Sequence, residues 1–261
     1  MAVFTELLDD DRDAIAKAYG ISSLSSVIGI ADGDRETTYL FRAGNGEFIV
    51  TLFENGAEPL DLERAFKTME ALHGGGIPCP RPVRTTDGHS SLQAAGRLVA
   101  VVSFVSGSSA SDPPPAKCGS LGRVMAQIHT ALQGASRERP DGLPSGAVHG
   151  ALVRENVFFV GDDVGGVINF RLRHDDVLIS EVADVLVDWT IRENGELDRL
   201  KASSLLTGYQ SVRRLSDAER SALPGFVMAS SARRYASRVE NACLPTVAML
   251  TFSSVTPDII G

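Results

Sequence analysis

The sequence predicts an α+β chain in two lobes: a small antiparallel β-rich lobe over residues 1–106 and a larger, mostly helical lobe over residues 107–261. Three observations carry this prediction. Short β-branched runs separated by Gly, Asn and Asp turns follow one another early in the chain. A break in composition, Gly-Ser-Ser-Ala-Ser-Asp-Pro-Pro-Pro from Gly107 to Pro115, falls between two regions of different periodicity. After residue 178, apolar residues recur at helical spacing in one segment after another.

Residues 4–19 read as a short helix that Gly20 stops. Strands follow at 26–31, 38–43 and 47–53, with Asp32-Gly33-Asp34 and Gly44-Asn45-Gly46 as the turns of an antiparallel meander. Leu62, Ala65, Phe66, Met69 and Leu72 share one helix face over residues 61–73, which Gly74-Gly75-Gly76 ends. The proline-rich run Ile77-Pro78-Cys79-Pro80-Arg81-Pro82-Val83 is extended, and residues 97–105 form a further strand. In the second lobe, Leu121, Val124, Met125 and Ile128 mark a helix, residues 133–146 read as loop, and 155–160 and 164–170 form a hairpin around Gly161-Asp162-Asp163. Helices are expected at 179–191, 196–211, 217–223 and 225–241, the third opened by Ser216 and Glu219 as a capping box. The apolar, Ser/Thr-rich tail from residue 244 fits no element.

Composition narrows the function. The chain has 261 residues, 43% of them hydrophobic, enough for two cores. A net charge of −8 argues against nucleic acid or an anionic membrane as the main partner. No apolar run has the length of a membrane span, and the acidic N-terminus does not read as a signal peptide. Cys79, Cys118 and Cys243 are odd in number and widely spaced, which suits reduced thiols in a cytoplasmic protein better than disulfides or zinc.

The stretch with chemical content is Val148-His149-Gly150-Ala151-Leu152-Val153-Arg154-Glu155-Asn156, followed by Gly166-Val167-Ile168-Asn169-Phe170. It resembles the catalytic loop and metal strand of a kinase-like phosphotransferase. In such a loop an Asp acts as base, an Asn five residues later holds magnesium, and an Asp before a Phe on the next strand holds the bridging metal. His149 and Asn156 stand in the expected places. Ala151 occupies the base position and Asn169 the metal position.

Longer blocks extend the likeness: Gly29-Ile30-Ala31-Asp32-Gly33, Ile49-Val50-Thr51-Leu52-Phe53-Glu54, Gly76 through Val83, and Gly208-Tyr209-Gln210-Ser211-Val212-Arg213. From Met1 to about Val239 the chain resembles the homoserine kinase family of the aminoglycoside/choline kinase superfamily. That resemblance implies a protein-kinase-like fold, a cleft between the lobes, and transfer of the ATP γ-phosphate to the homoserine hydroxyl. It places a nucleotide site at Gly33, Tyr39, Thr51, Ser103 and Asn156, and a metal site at Asn156 and Asn169.

The departures are as specific as the matches. The family loop reads His-x-Asp-Leu-x-x-Asp-Asn, where this chain has Ala151 and Glu155. Asn169 replaces the Asp of Ile-Asp-Phe. Arg35, Glu36, Thr37 and Thr38 fill the usual phosphate-approaching pattern, and Asn55-Gly56 replace a basic pair. Nineteen residues, 130 to 148, separate His129 from His149, where the family places several helical turns of the acceptor site.

No catalytic set is therefore intact, and ATP and Mg2+ are expected to bind weakly or not at all. The favoured reading is a homoserine-kinase-like pseudokinase serving as a binding or regulatory module, with a nucleotide or a protein partner at the helical lobe. The alternatives are an ATP-dependent small-molecule phosphotransferase with an altered metal site, and a folded relic. Among substitute acids, Asp162 and Asp163 read as a solvated turn, Arg173-His174-Asp175-Asp176 as a polar loop, and Glu155 as a loop hydrogen-bonding group. His149 reads as a brace, and Asp188 and Trp189 as capping and packing residues. For Arg233 and Arg238, a structural ion pair and an anion contact are both open.

Overall fold

A computed structural model describes residues 5–30, 36–133, 137–138, 142–192 and 194–242. Gly33 and its turn, Arg35, Cys243, the side chain of Arg238 and the tail from residue 244 lie outside the described residues. The chain divides into two compact units between Val105 and Ser106.

The first unit is an antiparallel sheet with two helices. Strands β1 (Leu24–Ile30), β2 (Thr37–Ala43) and β3 (Gly46–Phe53) form the meander, and the sheet continues through β6 (Arg97–Ser103) to β4 (Pro82–Val83). A short strand missed in the sequence, β5 (Leu92–Ala94), also pairs with β6. Ala43 pairs with Gly46 across the two-residue turn Gly44-Asn45. The Asn45 amide donates to the Gly20 carbonyl at 3.0 Å and accepts the Ser22 N–H at 3.1 Å, so the turn also pins the end of the first helix.

That helix, α1 (Asp9–Ala18), starts five residues later than its sequence suggests. Leu8 is extended and gives its N–H to the Asp11 carboxylate at 3.2 Å, and three aspartates in the first turn suit the positive end of the helix dipole. Leu7, Ile15 and Tyr19 pack on Phe41, Val50, Leu52, Val99 and Val101 of the sheet. Helix α2 (Pro59–Gly74) buries Leu62, Phe66, Met69 and Leu72. Arg84 ties it to the chain around β4 through Glu63 at 2.9 Å and Glu70 at 2.8 Å.

The second unit is built on α3 (Pro115–Leu132), α4 (Leu178–Thr190), α5 (Arg199–Gln210) and α6 (Asp217–Ala242). The hairpin of β9 (Val157–Val160) and β10 (Asp163–Val167) forms as the Gly161-Asp162 turn predicts. Three features correct the sequence reading. The stretch expected to be loop, 133–146, runs into strand β8 (Pro144–Val148), flanked by the short β7 (Arg137–Glu138). Its other neighbour is β11 (His174–Val177), the segment expected to be a polar loop. The two are about thirty residues apart, so a ladder formed between distant partners overrides weak local propensity. The third correction is α6, which runs unbroken through Pro224, where two helices were expected. Leu223 and Val227 are both buried, and the reciprocal box of Ser216 and Glu219 (2.8 and 3.2 Å) fixes the first turn. Anchorage on both sides outweighs the hydrogen bond that proline removes. Helix α5 begins at Arg199 because Asp198 caps it, accepting the N–H groups of Leu200 and Lys201.

Helices α3 and α5 meet at glycine. A Cβ on Gly208 would lie 1.9 Å from the Gly119 carbonyl oxygen, and one on Gly122 would lie 2.0 Å from that of Leu205. Both obstacles are backbone, which cannot rotate away. Alanine is the better helix former by about 1 kcal/mol, so the sign of Gly208→Ala is diagnostic. Chemical unfolding of that variant is expected to show a loss of about 1–3 kcal/mol from overpacking. A gain in stability would mean that the helices are further apart.

Candidate functional site

The loop from His149 to Asn156 joins β8 to a 3-10 turn, Arg154–Asn156, that leads into β9. Gly150 adopts φ +82°, which lets the chain turn sharply there. His149 is fully buried. Its Nε2–H donates to the Ile168 carbonyl at 2.8 Å, and its Nδ1 accepts the Ala151 N–H at 3.2 Å, so both ring nitrogens are used within the loop and the neighbouring strand. The ring also meets Phe170 edge-on at 4.7 Å. Burial pushes the His149 pKa down, against the opposing charge of Glu181 and the Ile168 carbonyl. This histidine is a brace.

Two residues of α4 hold the other side of the loop. Glu181 Oε1 accepts the Gly150 N–H at 2.6 Å; Oε2 accepts the His149 N–H at 3.3 Å and lies 2.7 Å from His129 Nε2. Burial alone would raise this carboxyl, but the hydrogen bonds from His129 and the Gly150 amide hold it below the ordinary glutamate value. Trp189, fully buried, donates its indole N–H to the Leu152 carbonyl at 2.7 Å. Arg154 donates to the carbonyls of Ser111 and Asp188 and lies 5.9 Å from the Trp189 ring centroid.

The residues assigned to metal and base positions lie together around this loop. Asn156 is buried and donates its amide Nδ2–H to the Ala151 carbonyl at 2.9 Å, which directs Oδ1 away from that carbonyl. The Asn156 carbonyl in turn accepts the Ile168 N–H at 2.9 Å, setting Asn169 beside the loop. Asn169 is exposed and left-handed, φ +74° and ψ +40°. Asparagine tolerates that conformation better than most side chains.

Ala151 lines a recess of about 210 Å³ with Leu152, Val153, Asp176, Asp184 and Asp188. The three acids are engaged. Asp176 accepts the Val177 N–H and the Ser180 hydroxyl, each at 2.7 Å; Asp184 pairs with Arg233 at 2.7 Å; Asp188 pairs with Arg234 at 2.5 Å. Arg233 thus makes a structural ion pair, and Asp188 pairs where a capping role was expected. Glu155, expected to hydrogen-bond within the loop, is exposed.

The nucleotide candidates of the first unit are partly committed to its own fold. The Tyr39 hydroxyl donates to the Thr5 carbonyl at 2.9 Å and accepts the Leu7 N–H at 3.3 Å. The Ser103 hydroxyl accepts the Arg81 N–H at 2.8 Å. Thr51 is half-buried on β3, paired with Thr38 and Ala100. Burial would raise Glu54, but hydrogen bonds from Thr37 and Arg97 bring it down to about 2. Sequence reasoning missed Glu181. The available signal was an acid among Ile179, Val182 and Val185, on the face that must be buried.

The lowered His149 value has a consequence for stability. The unfolded chain, with an ordinary value near 6.5, takes up the proton before the folded protein does. His149 therefore contributes stability that is complete above that value and is lost as pH falls towards the lower folded one. Between about pH 7.5 and 5.5 the unfolding free energy of the wild type is expected to fall more steeply than that of His149→Gln. Equal slopes would refute the assignment.

Comparison with known proteins agrees with this geometry. Residues 26–140 match the profile of the phosphotransferase enzyme family. A homoserine kinase of Rhizobium johnstonii is 31% identical, the match covering 92% of this chain and 88% of that one. One from Acidiphilium cryptum is 32% identical over 86% and 83%. The alignment to the Rhizobium enzyme is 281 positions long, more than the 261 residues here, so that enzyme holds residues this chain lacks. Among solved structures, an amicoumacin kinase in complex with AMP-PNP and Ca2+ superposes with a TM-score of 0.69 at 14% identity, covering 96% of this chain and 90% of that one. An aminoglycoside phosphotransferase of Alicyclobacillus acidocaldarius gives 0.71 at 13% identity, covering 92% and 88%. These two show the fold, an aminoglycoside-kinase-like one with an antiparallel sheet followed by a helical unit. By its sequence relatives, the chain belongs to the homoserine kinase family of phosphotransferases.

Proposed function

We propose that this chain is a homoserine-kinase-like pseudokinase, a member that keeps the braced loop and has lost the chemistry, and that it serves as a binding or regulatory module. The observation that carries this reading is the contrast within the loop. His149, Glu181 and Trp189 hold its backbone, while the side chain at the base position is the methyl group of Ala151. A methyl group accepts no proton, and general-base catalysis is typically worth about 10²–10⁴ in rate. The nearby acids Asp176 and Asp184 are engaged by other partners.

The metal position supports the same reading. Relatives of this fold use a metal to bridge the phosphates, and magnesium prefers anionic oxygen in a tight octahedron. Asn156 and Asn169 are neutral amides that bring no charge to offset the ion, so this donor set does not fit that metal. Among the described residues no group of three or more His, Cys, Asp or Glu side chains is placed to hold a metal ion. ATP remains the first ligand to test. Its addition is expected to raise the melting temperature to the same extent with and without magnesium, or not at all. Homoserine is expected to elicit no ADP release. Magnesium-dependent turnover would sink the proposal.

One observation favours the second reading, a phosphotransferase with an altered site. Burial raises the Asp188 carboxyl above its ordinary value, against the charges of Arg234 and Arg154, and its Oδ2 is buried without a hydrogen bond. A carboxyl of this kind beside Ala151 is a candidate base. If turnover is found, loss of at least about tenfold in Asp188→Asn would identify that base.

Restoring the missing acids tests the acceptor side. Ala151→Asp with Asn169→Asp is expected to leave homoserine phosphorylation far below that of active relatives, because the 130–148 segment is too short for the family's acceptor helices. Efficient turnover by this double variant would show a complete acceptor site.

A further inference from the structure

A buried polar chain leads from the start of α6 to the loop. Arg213 forms an ion pair with Glu219 at 2.9 Å, and its Nη1 donates to the Tyr209 hydroxyl oxygen at 3.0 Å. That hydroxyl lies 2.8 Å from His129 Nδ1, and His129 Nε2 lies 2.7 Å from Glu181 Oε2. The same carboxylate takes the Gly150 and His149 amides. Arginine only donates, so the tyrosine oxygen is the acceptor at that contact. Tyr209 is fully buried, and its hydroxyl hydrogen therefore needs an acceptor of its own. The Nδ1 lone pair of His129 supplies it. This leaves the ring hydrogen on Nε2, pointing at Glu181. The opposite tautomer would set a lone pair against a carboxylate and strand the hydroxyl hydrogen.

We infer that Tyr209 and Arg213 are positioning residues for the loop. They hold the His129 ring from its Nδ1 side, in the Nε2–H tautomer that Glu181 also requires, and through that ring set Glu181 against the Gly150 and His149 amides. The carrier of the coupling is the imidazole ring, hydrogen-bonded at both nitrogens. The inference concerns loop geometry and stands apart from whether any turnover remains.

Nitrogen-15 NMR of the histidine side chains in the full chain tests it. Wild-type His129 is expected to carry its hydrogen on Nε2. Tyr209→Phe removes the hydroxyl and keeps the ring that meets His129 edge-on at 5.7 Å. In that variant the Nδ1 lone pair loses its donor while Glu181 still holds the Nε2 hydrogen, so the His129 Nδ1 signal is expected to shift towards that of a nitrogen without a hydrogen bond. The His149 and Gly150 amides are expected to exchange with solvent roughly tenfold faster relative to those of α3 and α5. A merely structural role would speed exchange across α3, α5 and the loop together, and that uniform result overturns the inference, as does exchange at wild-type rates. If Tyr209→Phe does not fold, the wild-type spectrum still decides, because hydrogen on His129 Nδ1 contradicts the Nε2–H tautomer.

Discussion

The second unit depends on a carboxylate buried against backbone. Glu181 is 4% exposed and faces the point where β8 becomes the loop. Taking a charge out of water costs several kcal/mol even after relaxation. Here the cost is offset by three donors, the Gly150 and His149 amides and the His129 ring, each a charge-assisted bond. With those donors in place the folded carboxyl sits below its ordinary value despite its burial. An interaction of that kind tolerates little displacement, because a partner moved away leaves an uncompensated buried charge. The end of β8, the first turn of α4 and the end of α3 are thereby held at one place.

The brace also explains how the loop keeps its shape with alanine at position 151. Most of the groups it holds belong to the main chain: the N–H of His149, Gly150 and Ala151, and the C=O of Ala151, Leu152 and Ile168. A change of side chain at position 151 alters none of them. The same holds at Asn169, whose left-handed backbone is set by the fixed Ile168 peptide and suits Asn. Loop shape is therefore separable from the side chains at positions 151 and 169. This is the structural form of the rule that a fold does not by itself give a function.

What the sequence revealed follows the range of the interactions. The β2–β3 and β9–β10 hairpins, the faces of α2 and α3 and the Ser216–Glu219 box rest on neighbours a few residues apart, and each was legible. That Asn156 lies beside Ala151 was legible from their spacing. The β8–β11 pair was not, because each strand looks like polar loop until its distant partner is known. The Pro224 break failed for the same reason: local chemistry argued for a stop, and the burial of Leu223 and Val227 decided otherwise. Glu181 showed only as an acid on a face that must be buried; its role was not legible because it depends on His129, fifty-two residues earlier, and on two backbone amides that no side-chain pattern records.

The glycine contact between α3 and α5 belongs to the same account. His129 lies two turns beyond Gly122 on α3, and Tyr209 directly follows Gly208 on α5. The 2.8 Å approach of the His129 ring to the Tyr209 hydroxyl therefore requires these two helices to lie nearly in backbone contact. The absence of a Cβ at Gly119, Gly122 and Gly208 permits that spacing, and the hydrogen bond then rewards it. Three residues with no side chain determine whether a buried histidine finds its partner. That histidine completes the donor set of the one carboxylate on which the loop rests. Packing and polar chemistry in this unit are consequently a single constraint, set at the α3–α5 crossing and expressed at Gly150.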